Sequence, residues 1–480
     1  MTAPAFDYDL AIIGSGGGAF AAAIRATNRG KRVLMVERGT IGGTCVNTGC
    51  IPSKALLAAA EARHGALDAS GRFPGISTSA VPVNMAELIG GKRSLVESIR
   101  SEKYVDLASD YGWDLRRGTA AFAGSAAAPV LNITGPGGTT GTVIAEQYLV
   151  ATGSAPWIPA VQGLDEVDYL TSTSAMELDE VPVSMLVLGG GYVALEQAQL
   201  FARLGTRVTM LVRSRVASME EPEAAPVLME VFADEGIQVV RRATASSVQT
   251  DPATGNVVVK AAVSGGDEEF SAARLLVATG RRPVTEDLNL CMVGVETGNR
   301  GEILVDATLR STNPRIWAAG DVTGHPEFVY VAAAHGSLMV ENAFSGAGRE
   351  VNYRNLPRVT FTSPALAAVG MTDKEANQAG IRCTCRVLPL EYVPRALVNR
   401  DTRGFIKIVA DADTGRILGI TAVGKEAGDI AAAGVYILEA GMTVEQVANL
   451  WSPYLTMAEG IKIAAQSFTT DVSKLSCCAA

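Results

Sequence analysis

The first forty residues alternate between short apolar runs and small or polar residues. One apolar run ends at Ile13, a glycine-rich turn and an alanine-rich stretch follow, and a second apolar run begins at Val33. Short continuous apolar runs are typical of strands that are buried on both faces, as in parallel sheets. The order therefore predicts a strand, a helix and a parallel strand, which is the βαβ unit that binds dinucleotides.

The same order occurs again near position 184, in SMLVLGGGYVALEQAQLFARLGTRVTMLVR. In each copy the first glycine permits a tight turn, the second lets a pyrophosphate approach the backbone, and the helix amino terminus faces the anion. One such motif is a weak signal, because nucleotide-free α/β sheets also have glycine turns, but two copies in register predict two dinucleotide sites. With a shift of 175 positions, the coinciding pairs are Gly14 with Gly189, Gly16 with Gly191, Ala19 with Ala194, Gly30 with Gly205 and Val33 with Val208.

The two copies differ at the end of the second strand. The first copy has Glu37 there, and a carboxylate at this place accepts hydrogen bonds from adenosine ribose hydroxyls. The second copy has Val212, followed by Arg213 and Arg215, and guanidinium groups match phosphate geometry. We therefore expect an unphosphorylated adenosine, as in FAD, at the first site and NADPH at the second. The alternative is that the two arginines lie on a solvated turn.

Later apolar runs predict an α/β fold with two Rossmann-like dinucleotide-binding domains and a carboxyl-terminal α+β domain. YLVATG and LLVATGRRP look like strands that enter glycine turns, which places Thr152 and Gly153 at the first nucleotide and Gly280 at the second. RIWAAGDVTG places Asp321 after another buried strand, and residues 123–141 are expected to be a hairpin loop. The predicted segments are an FAD domain at 1–150, an NADPH domain at 151–282, a return to the FAD domain at 283–350 and a fourth segment at 351–480.

Composition and charge exclude several classes of function. The 480 residues carry a formal net charge of -9, whereas proteins that bind nucleic-acid backbones need a basic face. No apolar run approaches the roughly 20 residues that span a bilayer. The amino terminus lacks the basic start and apolar core of a secretory signal. We expect a cytoplasmic protein with no nucleic-acid or membrane partner.

Seven cysteines do not form a disulfide framework in a chain of this length, but two of them suggest redox chemistry. Cys45 and Cys50 follow the first nucleotide unit directly, in GGTCVNTGCIPSK. Pro52 suits the first turn of a helix, so Cys50 is expected at a helix amino terminus with Lys54 nearby, and both features favour the thiolate. The alternative is a pair of buried structural thiols. We refer to Cys45 and Cys50 as the active-site pair.

The segment GGTCVNTGCIPSK resembles the active-site motif of the pyridine nucleotide-disulfide oxidoreductases, and the similarity extends over essentially the whole chain. The resemblance implies FAD in the first domain, with Gly43 and Thr44 among its binding residues and Asp321 near the flavin ribityl chain. It makes Cys50 the flavin-proximal thiol and Cys45 the interchange thiol.

The resemblance also implies roles for residues outside this motif. It places Lys54 beside the flavin ring, paired with Glu196. It makes Tyr192 an aromatic gate over the nicotinamide pocket, for which the alternative is simple packing. It further implies that the segment at 351–480 is a dimerisation domain and that the protein is a homodimer.

One departure from the family pattern concerns the substrate. Members that reduce disulfides carry His-Pro-Thr-x-x-Glu near the carboxyl terminus, whereas the matching segment here has Tyr454, with Thr456 and Glu459 retained. Tyrosine, with an unperturbed pKa of about 10, is a poor proton shuttle at neutral pH. Disulfide exchange requires protonation of a leaving thiolate, and reduction of a metal ion does not. We therefore expect a substrate other than a disulfide.

A second departure is the tail DVSKLSCCAA, in which Cys477 and Cys478 are adjacent. Neighbouring Cα atoms are about 3.8 Å apart, below the usual disulfide range of about 4.4–6.8 Å, so a free dithiol is expected. Two thiolates suit a soft, thiophilic cation. The alternative is an accidental pair.

WSPYLTMAEG and the terminal cysteines together look like the mercuric reductases. This match implies NADPH-dependent reduction of Hg(II) to elemental mercury. Cys477 and Cys478 of one subunit would capture Hg(II) from a thiol complex and pass it to the active-site pair of its partner, with Tyr192 and Tyr454 lining the site. Many members carry an amino-terminal metal-binding domain, and we expect a catalytic core without it.

Two rival functions stay open at this point. A thioredoxin-reductase-like enzyme would use the terminal pair to relay electrons to a protein disulfide, but Tyr454 counts against it. A non-enzymatic thiol protein that sequesters metal would not need intact nucleotide motifs. Cys383 and Cys385 lie on a predicted strand and face the same side, and we assign them no role beyond packing.

Overall fold

The computed structural model describes residues 6–474, which divide into two compact units. Within this range the first unit comprises residues 6–55, 86–157 and 280–351, and the second comprises residues 56–85, 158–279 and 352–474. Among the described residues, no helix combines the length and the hydropathy that crossing a membrane requires.

A five-stranded parallel sheet, the first nucleotide sheet, forms the core of the first unit. The apolar runs of the sequence become its central strands, and Leu10, Ile12, Leu34 and Met35 are fully buried there. The helix Gly17–Thr27 connects these two strands. In order across the sheet, the strands are Ile316–Ala318, Ala145–Val150, Tyr8–Ile13, Val33–Glu37 and Asp114–Arg117.

Residues 123–141 are not the hairpin loop that the sequence predicted. The strand Pro129–Thr134 runs through their middle, with Leu131 and Ile133 buried and the residues between them less so. This alternation is typical of a strand with one buried face, but the small and polar residues around it obscure the signal. The strand belongs to an antiparallel sheet of Thr119–Gly124, Pro129–Thr134 and Thr140–Val143.

The other elements of the first unit surround these two sheets. Ser154–Pro156 pairs with Arg281–Pro283 in a short antiparallel ribbon. The helix Cys50–Arg72 begins in the first unit and continues into residues of the second. The remaining helices are Gly43–Asn47, Met85–Arg100, a π-helical turn at Ser101–Asp106, Leu107–Asp110 and Val329–Ser345, with 3-10 turns at Glu286–Leu288, Leu290–Val293 and Gly320–Thr323.

The second unit contains a second parallel sheet, built from the second copy of the repeat. Its central strands pair in the same register as those of the first sheet, because Leu10 lies opposite Val33 and, 175 positions on, Met185 lies opposite Val208. The predicted repeat is therefore confirmed at the level of single residue pairs. In order, the strands are Gln238–Arg241, Arg207–Val212, Ser184–Leu188, Arg274–Val277 and Tyr169–Leu170.

The second unit also contains an antiparallel sheet near the carboxyl terminus, which we call the C-terminal sheet. Ile406, Ile408 and Ile420 of this sheet share a buried core with Ile430 and Ile461 of two helices. This arrangement confirms the predicted α+β segment. In order, the strands are Arg358–Thr360, Ala365–Gly370, Ile417–Gly424, Phe405–Asp411 and Cys383–Pro389.

The remaining elements of the second unit connect or cover its sheets. A third sheet is formed by the antiparallel strands Thr244–Thr250, Val257–Val263 and Gly266–Ala272. The helices are Ser172–Ala175, Tyr192–Leu204, Ala224–Asp234, Asp373–Gln378, Pro394–Val398, Ala427–Glu439, Val444–Ala448 and Glu459–Gln466, with 3-10 turns at Leu164–Glu166, Leu390–Tyr392 and Val472–Lys474.

Candidate active site and nucleotide sites

The first glycine of each repeat occupies a place that only glycine fits. Gly14 has φ 102° and Gly189 has φ 137°, both in the left-handed region. A Cβ on Gly14 would lie 2.4 Å from the carbonyl oxygen of Ala151, and a Cβ on Gly189 would lie 2.3 Å from that of Ala278. Both glycine turns therefore press against the loop after a neighbouring parallel strand.

The second glycine of each repeat precedes a helix amino terminus. Gly16 and Gly191 both have extended backbone, and neither caps its helix through a side chain. The first N–H groups of both helices can therefore face an anion. Ala19 and Ala194, one turn further on, are fully buried where helix and sheet meet. The donor set and the space around these turns fit a dinucleotide pyrophosphate.

Glu37 lies at the end of the second strand of the first nucleotide sheet. Its carboxylate accepts hydrogen bonds from Ser15 Oγ at 2.6 Å and from the backbone N–H of Gly39 at 2.7 Å. Ser15 Oγ in turn accepts the N–H of Gly42 at 3.1 Å. The glycine turn, the ribose-recognition position and the chain that leads to the active-site pair are thus joined by one hydrogen-bond network.

The corresponding strand of the second unit ends in the buried Val212, and the two arginines come directly after it. Arg213 is exposed, whereas Arg215 is half-buried and donates to the carbonyl oxygens of Ser218 and Glu220 at 3.0 and 2.8 Å. Arg215 therefore also shapes the loop after the strand. Arg213 is the arginine whose charge lies open to solvent at the strand end.

Asp321 lies in the 3-10 turn that follows the edge strand of the first nucleotide sheet. Its carboxylate accepts Ser154 Oγ at 2.7 Å, and Ser154 Oγ accepts Arg281 Nε at 2.7 Å. His335 is fully buried, and its Nδ1 accepts the N–H of Gly320 at 3.2 Å. Burial lowers the pKa of His335 to about 4, so the ring stays a neutral acceptor that holds this turn.

Thr152, Gly153 and Gly280 lie in the two loops that the sequence assigned to the nucleotides. Thr152 Oγ1 donates to the carbonyl oxygen of Val284 at 2.7 Å, which ties its loop to the return segment. The carbonyl oxygen of Gly280 accepts the N–H of Trp157 at 2.9 Å. Thr152 and Gly153 thus follow the strand Ala145–Val150 of the first nucleotide sheet, and Gly280 precedes the ribbon strand Arg281–Pro283.

The active-site pair lies directly beside the first glycine turn. A Cβ on Gly43 would lie 2.5 Å from Gly16 Cα, so the short helix Gly43–Asn47 that carries Cys45 touches the nucleotide turn. The next helix begins at Cys50, as predicted. Thr44 is exposed at the same edge. The two thiols are thus held next to the place where a nucleotide would lie.

The two thiols of the active-site pair are within hydrogen-bonding reach of each other. The hydrogen bond with Cys50, together with burial, raises the pKa of Cys45, while the Lys54 ammonium lowers it. Cys50 is exposed and lies at a helix amino terminus, which favours its anion. The arrangement therefore favours a Cys50 thiolate that accepts a hydrogen bond from the Cys45 thiol.

Tyr104 is a neighbour of the active-site pair that the sequence reasoning missed. Burial and the charges of Cys45 and Cys50 raise the pKa of Tyr104, so its hydroxyl stays protonated at neutral pH. Its ring packs edge-on against Phe20 at 4.8 Å. Tyr104 lies in a π-helical turn, a rare conformation that is frequent at functional sites and that no local sequence pattern announced.

Glu196 and Tyr192 lie at the start of the helix Tyr192–Leu204 in the second unit. Glu196 is buried, and its Oε1 accepts the N–H of Phe361 at 2.9 Å. Tyr192 is 42% exposed. The buried carboxylate is thus fixed by the backbone between two strands of the C-terminal sheet. The pairing of Glu196 with Lys54 and the role of Tyr192 as a gate stay predictions.

Tyr454 lies on a turn that Thr456 and Glu459 hold. Thr456 Oγ1 donates to the carbonyl oxygen of Pro453 at 2.9 Å and accepts the N–H of Glu459 at 3.2 Å. The buried Glu459 accepts the N–H of Leu455 at 3.1 Å. These retained residues therefore keep the turn, and Tyr454 projects from it with 48% of its surface exposed. Cys477 and Cys478 lie outside the described residues.

Family models match most of the chain. The pyridine nucleotide-disulphide oxidoreductase model matches residues 8–336, and the dimerisation-domain model of the same group matches residues 356–465.

Curated relatives extend over almost the whole chain. A mercuric reductase from Streptomyces lividans is 58% identical, and 98% of each chain is covered. Mercuric reductases from Staphylococcus aureus and Bacillus cereus are 44% and 46% identical over 98% and 99% of this chain, and the match covers 84% and 73% of those proteins.

Solved structures share the fold. A Cu(II) complex of the HOCl-induced flavoprotein disulfide reductase RclA from Escherichia coli has a TM-score of 0.85 at 26% identity and covers 96% of this chain and 99% of that chain. LpdA from Mycobacterium tuberculosis gives a TM-score of 0.85 at 25% identity with the same coverage of both chains.

Proposed function

The chain belongs to the pyridine nucleotide-disulphide oxidoreductase family, and on that premise we propose that it is an FAD-containing, NADPH-dependent mercury(II) reductase. The observation that carries the proposal is the active-site pair, in which two thiols in contact lie beside a glycine turn that fits a dinucleotide. Two adjacent thiols are good ligands for a soft cation. The curated relatives over the full length are named mercuric reductases, which supports Hg(II) as that cation.

The residues that would hold the two cofactors lie in separate sheets. Gly14, Gly16, Glu37 and Asp321 would hold FAD, and Gly189, Gly191 and the arginines after Val212 would hold NADPH. When bound, the two cofactors supply a hydride and pass its two electrons to the active-site pair. Glu37 accepts hydrogen bonds and carries negative charge, so it discriminates against a 2′-phosphate at the first site, whereas Arg213 favours one at the second.

The active-site pair would bind Hg(II) by ligand exchange. Cys45 and Cys50 replace two small thiolates on the metal, and the protons that the pair gives up leave on the two small thiols. The two electrons delivered to the pair would then reduce Hg(II) to Hg(0), and Cys45 and Cys50 would leave the metal as thiols, which take up the hydrogen of the hydride and one further proton. Per turnover, one Hg(II) dithiolate, one NADPH and one proton yield Hg(0), NADP⁺ and two thiols.

Residues around the pair would control protonation and access. The Lys54 ammonium stabilises negative charge on the pair, since it lowers the pKa of Cys45. We further propose that Glu196 pairs with Lys54, that Tyr192 gates the nicotinamide and that Tyr454 lines the metal site. The domain division at 150, 282 and 350 belongs to the same proposal.

The protein is proposed to be a homodimer in the cytoplasm, with each active site shared between subunits. The dimerisation-domain match to residues 356–465 supports the dimer. Cys477 and Cys478 of the partner subunit would take Hg(II) from a small-thiol complex and deliver it to the active-site pair. Two thiolates on one chain displace ligands stepwise at high effective concentration, which makes them suited to capture.

A comparison of substrates tests this function. NADPH oxidation by the flavin-loaded protein is measured with a mercuric dithiolate and, separately, with a protein disulfide such as oxidised thioredoxin. We expect oxidation with mercury and little with the disulfide, because Tyr454 is a poor proton donor at neutral pH. Faster turnover of the disulfide would favour the thioredoxin-reductase-like alternative.

A further inference from the structure

A second pair of thiols lies on the edge strand of the C-terminal sheet. Cys383 and Cys385 are two residues apart on the strand Cys383–Pro389, so both side chains point to the same face, as the sequence indicated. Among the residues that the structure describes, this strand pairs only with Phe405–Asp411, which leaves its other backbone edge without a partner strand. Both residues are partly exposed. A small solute can therefore reach this pair, which we call the strand pair.

The two thiols of the strand pair contact each other. Their side chains are within hydrogen-bonding reach, and Cys383 Sγ also lies 3.9 Å from the carbonyl oxygen of Asp373. Burial and the neighbouring Cys383 raise the pKa of Cys385 to about 12. The contact places two soft sulfur donors side by side on one strand face.

A buried ammonium group engages the carboxylates beside the strand pair. The face that carries Cys385 also carries Lys407, whose ammonium contacts Glu221, Glu223 and Asp373 at 2.8–2.9 Å. Each of the three carboxylates thus gives one oxygen to an internal cation. The two sulfur atoms beside this cluster are soft donors, which select soft metals.

The spacing of the strand pair suits a bridging metal better than a disulfide. At a strand rise of about 3.3 Å per residue, the two Cα atoms are about 6.6 Å apart, near the upper limit of the disulfide range. A cation held between two thiolates at about 2.3 Å each separates the sulfurs by about 4.6 Å, a distance that two extended side chains on one strand face can span.

We propose that Cys383 and Cys385 form a second binding site for a soft, two-coordinate cation such as Hg(II), separate from the active-site pair. In the binding step the two sulfurs replace two thiolates on a mercuric dithiolate, and the protons of Cys383 and Cys385 leave on the two released thiols. No electrons are transferred. Because binding needs no NADPH, this proposal can fail while the reductase activity stands, and the reverse is equally possible.

A stoichiometry measurement tests the proposal in the full, flavin-loaded chain. The background variant replaces Cys45, Cys50, Cys291, Cys477 and Cys478 with serine, which leaves only the strand pair. Mercuric chloride is added, then excess 2-mercaptoethanol, and mercury retained after gel filtration is counted per chain. We expect one equivalent, and none after Cys383→Ser/Cys385→Ser is added. Cys383→Ser alone should weaken retention by roughly 100-fold or more, because a single thiol loses the chelate advantage.

The controls distinguish chelation by the strand pair from nonspecific retention of metal and from loss of folding. Zinc chloride in place of mercury should leave no retained metal, since zinc sites in proteins take four ligands and the strand pair supplies two. The absorbance of bound flavin reports whether each variant folds. If Cys383→Ser/Cys385→Ser loses its flavin, Cys383→Ala/Cys385→Ala is used in its place. No retained mercury in the background variant, or equal retention without the strand pair, would overturn the proposal.

Discussion

At the scale of single residues, the contact between the two thiols, burial and one lysine charge together set how the active-site pair ionises. Two thiols in contact cannot both lose their protons easily, so the first ionisation raises the pKa of the remaining thiol, here Cys45. Lys54, one helical turn after Cys50, acts in the opposite direction. A lysine at this place therefore makes a negative charge on the pair easier to form.

Replacing Lys54 tests this electrostatic role. A unit charge a few ångströms away contributes about 1 kcal/mol even in water-like surroundings, so Lys54→Met should slow alkylation of the reduced pair at pH 7 by about fivefold or more. Alkylation slows because removal of a cation makes thiolate formation harder, which moves the midpoint of the alkylation rate to higher pH. Iodoacetamide kinetics across pH measure the effect. Lys54→Arg keeps the charge and should retain the parent profile, and an unchanged profile in Lys54→Met would contradict the role.

At the scale of elements, two βαβ units with the same register differ in the residues at and after the end of the second strand. Glu37 is held by Ser15 and Gly39, whereas Arg213 extends from the equivalent strand end into solvent. Arg215 donates two hydrogen bonds to carbonyl oxygens of its own loop. The coenzyme preference is therefore expected to depend mainly on Arg213.

The variant Arg213→Gln measures this preference. Loss of a charge-assisted hydrogen bond costs about 1.5–3 kcal/mol, so KM for NADPH should rise roughly 10- to 100-fold. KM for NADH should change little, because NADH carries no 2′-phosphate. Arg215→Gln serves as the comparison and should affect both coenzymes, since it also releases the loop. An equal change for both coenzymes in Arg213→Gln would refute the assignment.

A buried ion cluster connects the C-terminal sheet with a helix and a loop of the same unit. Lys407 is 1% exposed and contacts Glu221, Glu223 and Asp373. Burial raises the pKa of Glu221 even beside this lysine. Since breaking a buried charge pair is strongly destabilising, this one ammonium is expected to be essential for the local fold.

Lys407→Met should therefore lower the free energy of unfolding by about 3–5 kcal/mol at pH 7.5. This loss in the free energy of unfolding should be smaller at pH 5.5. The pKa of Glu221 is higher in the folded variant than in the unfolded chain, so protonation at acid pH favours the folded state. Urea unfolding at both pH values measures the free energy of unfolding of the parent and the variant. Lys260→Met removes an exposed ion pair and should change stability by less than about 1 kcal/mol. A deficit that grows on acidification would contradict this account.

Local periodic signals made the nucleotide sheets and the C-terminal sheet predictable from sequence. The glycine turns, the strand-end acid and the start of the helix at Cys50 all follow from patterns within a few residues. Tyr104 was missed because its contact with the active-site pair depends on a π-helical turn more than fifty residues away in the chain. The link between Ser154 and Asp321 was missed for the same reason, as these residues are 167 positions apart.

At the scale of the whole molecule, the proposed dimer would share each active site between subunits. We expect complementation when a Cys45→Ala/Cys50→Ala chain is mixed with a Cys477→Ala/Cys478→Ala chain. A heterodimer then has one site with both an intact active-site pair and intact Cys477 and Cys478. Part of the activity with thiol-bound mercury should therefore return. Heterodimers shown to form without any gain in activity would count against shared sites.

The central claim is that the active-site pair carries electrons from NADPH to Hg(II). The direct test measures elemental mercury released and NADPH consumed together, with excess small thiol, in the parent and in Cys45→Ser/Cys50→Ser. We expect about one Hg(0) per NADPH for the parent. In the variant, we expect NADPH still to reduce the flavin, but no elemental mercury to be released. Release of elemental mercury by the variant at the parent rate would contradict the account.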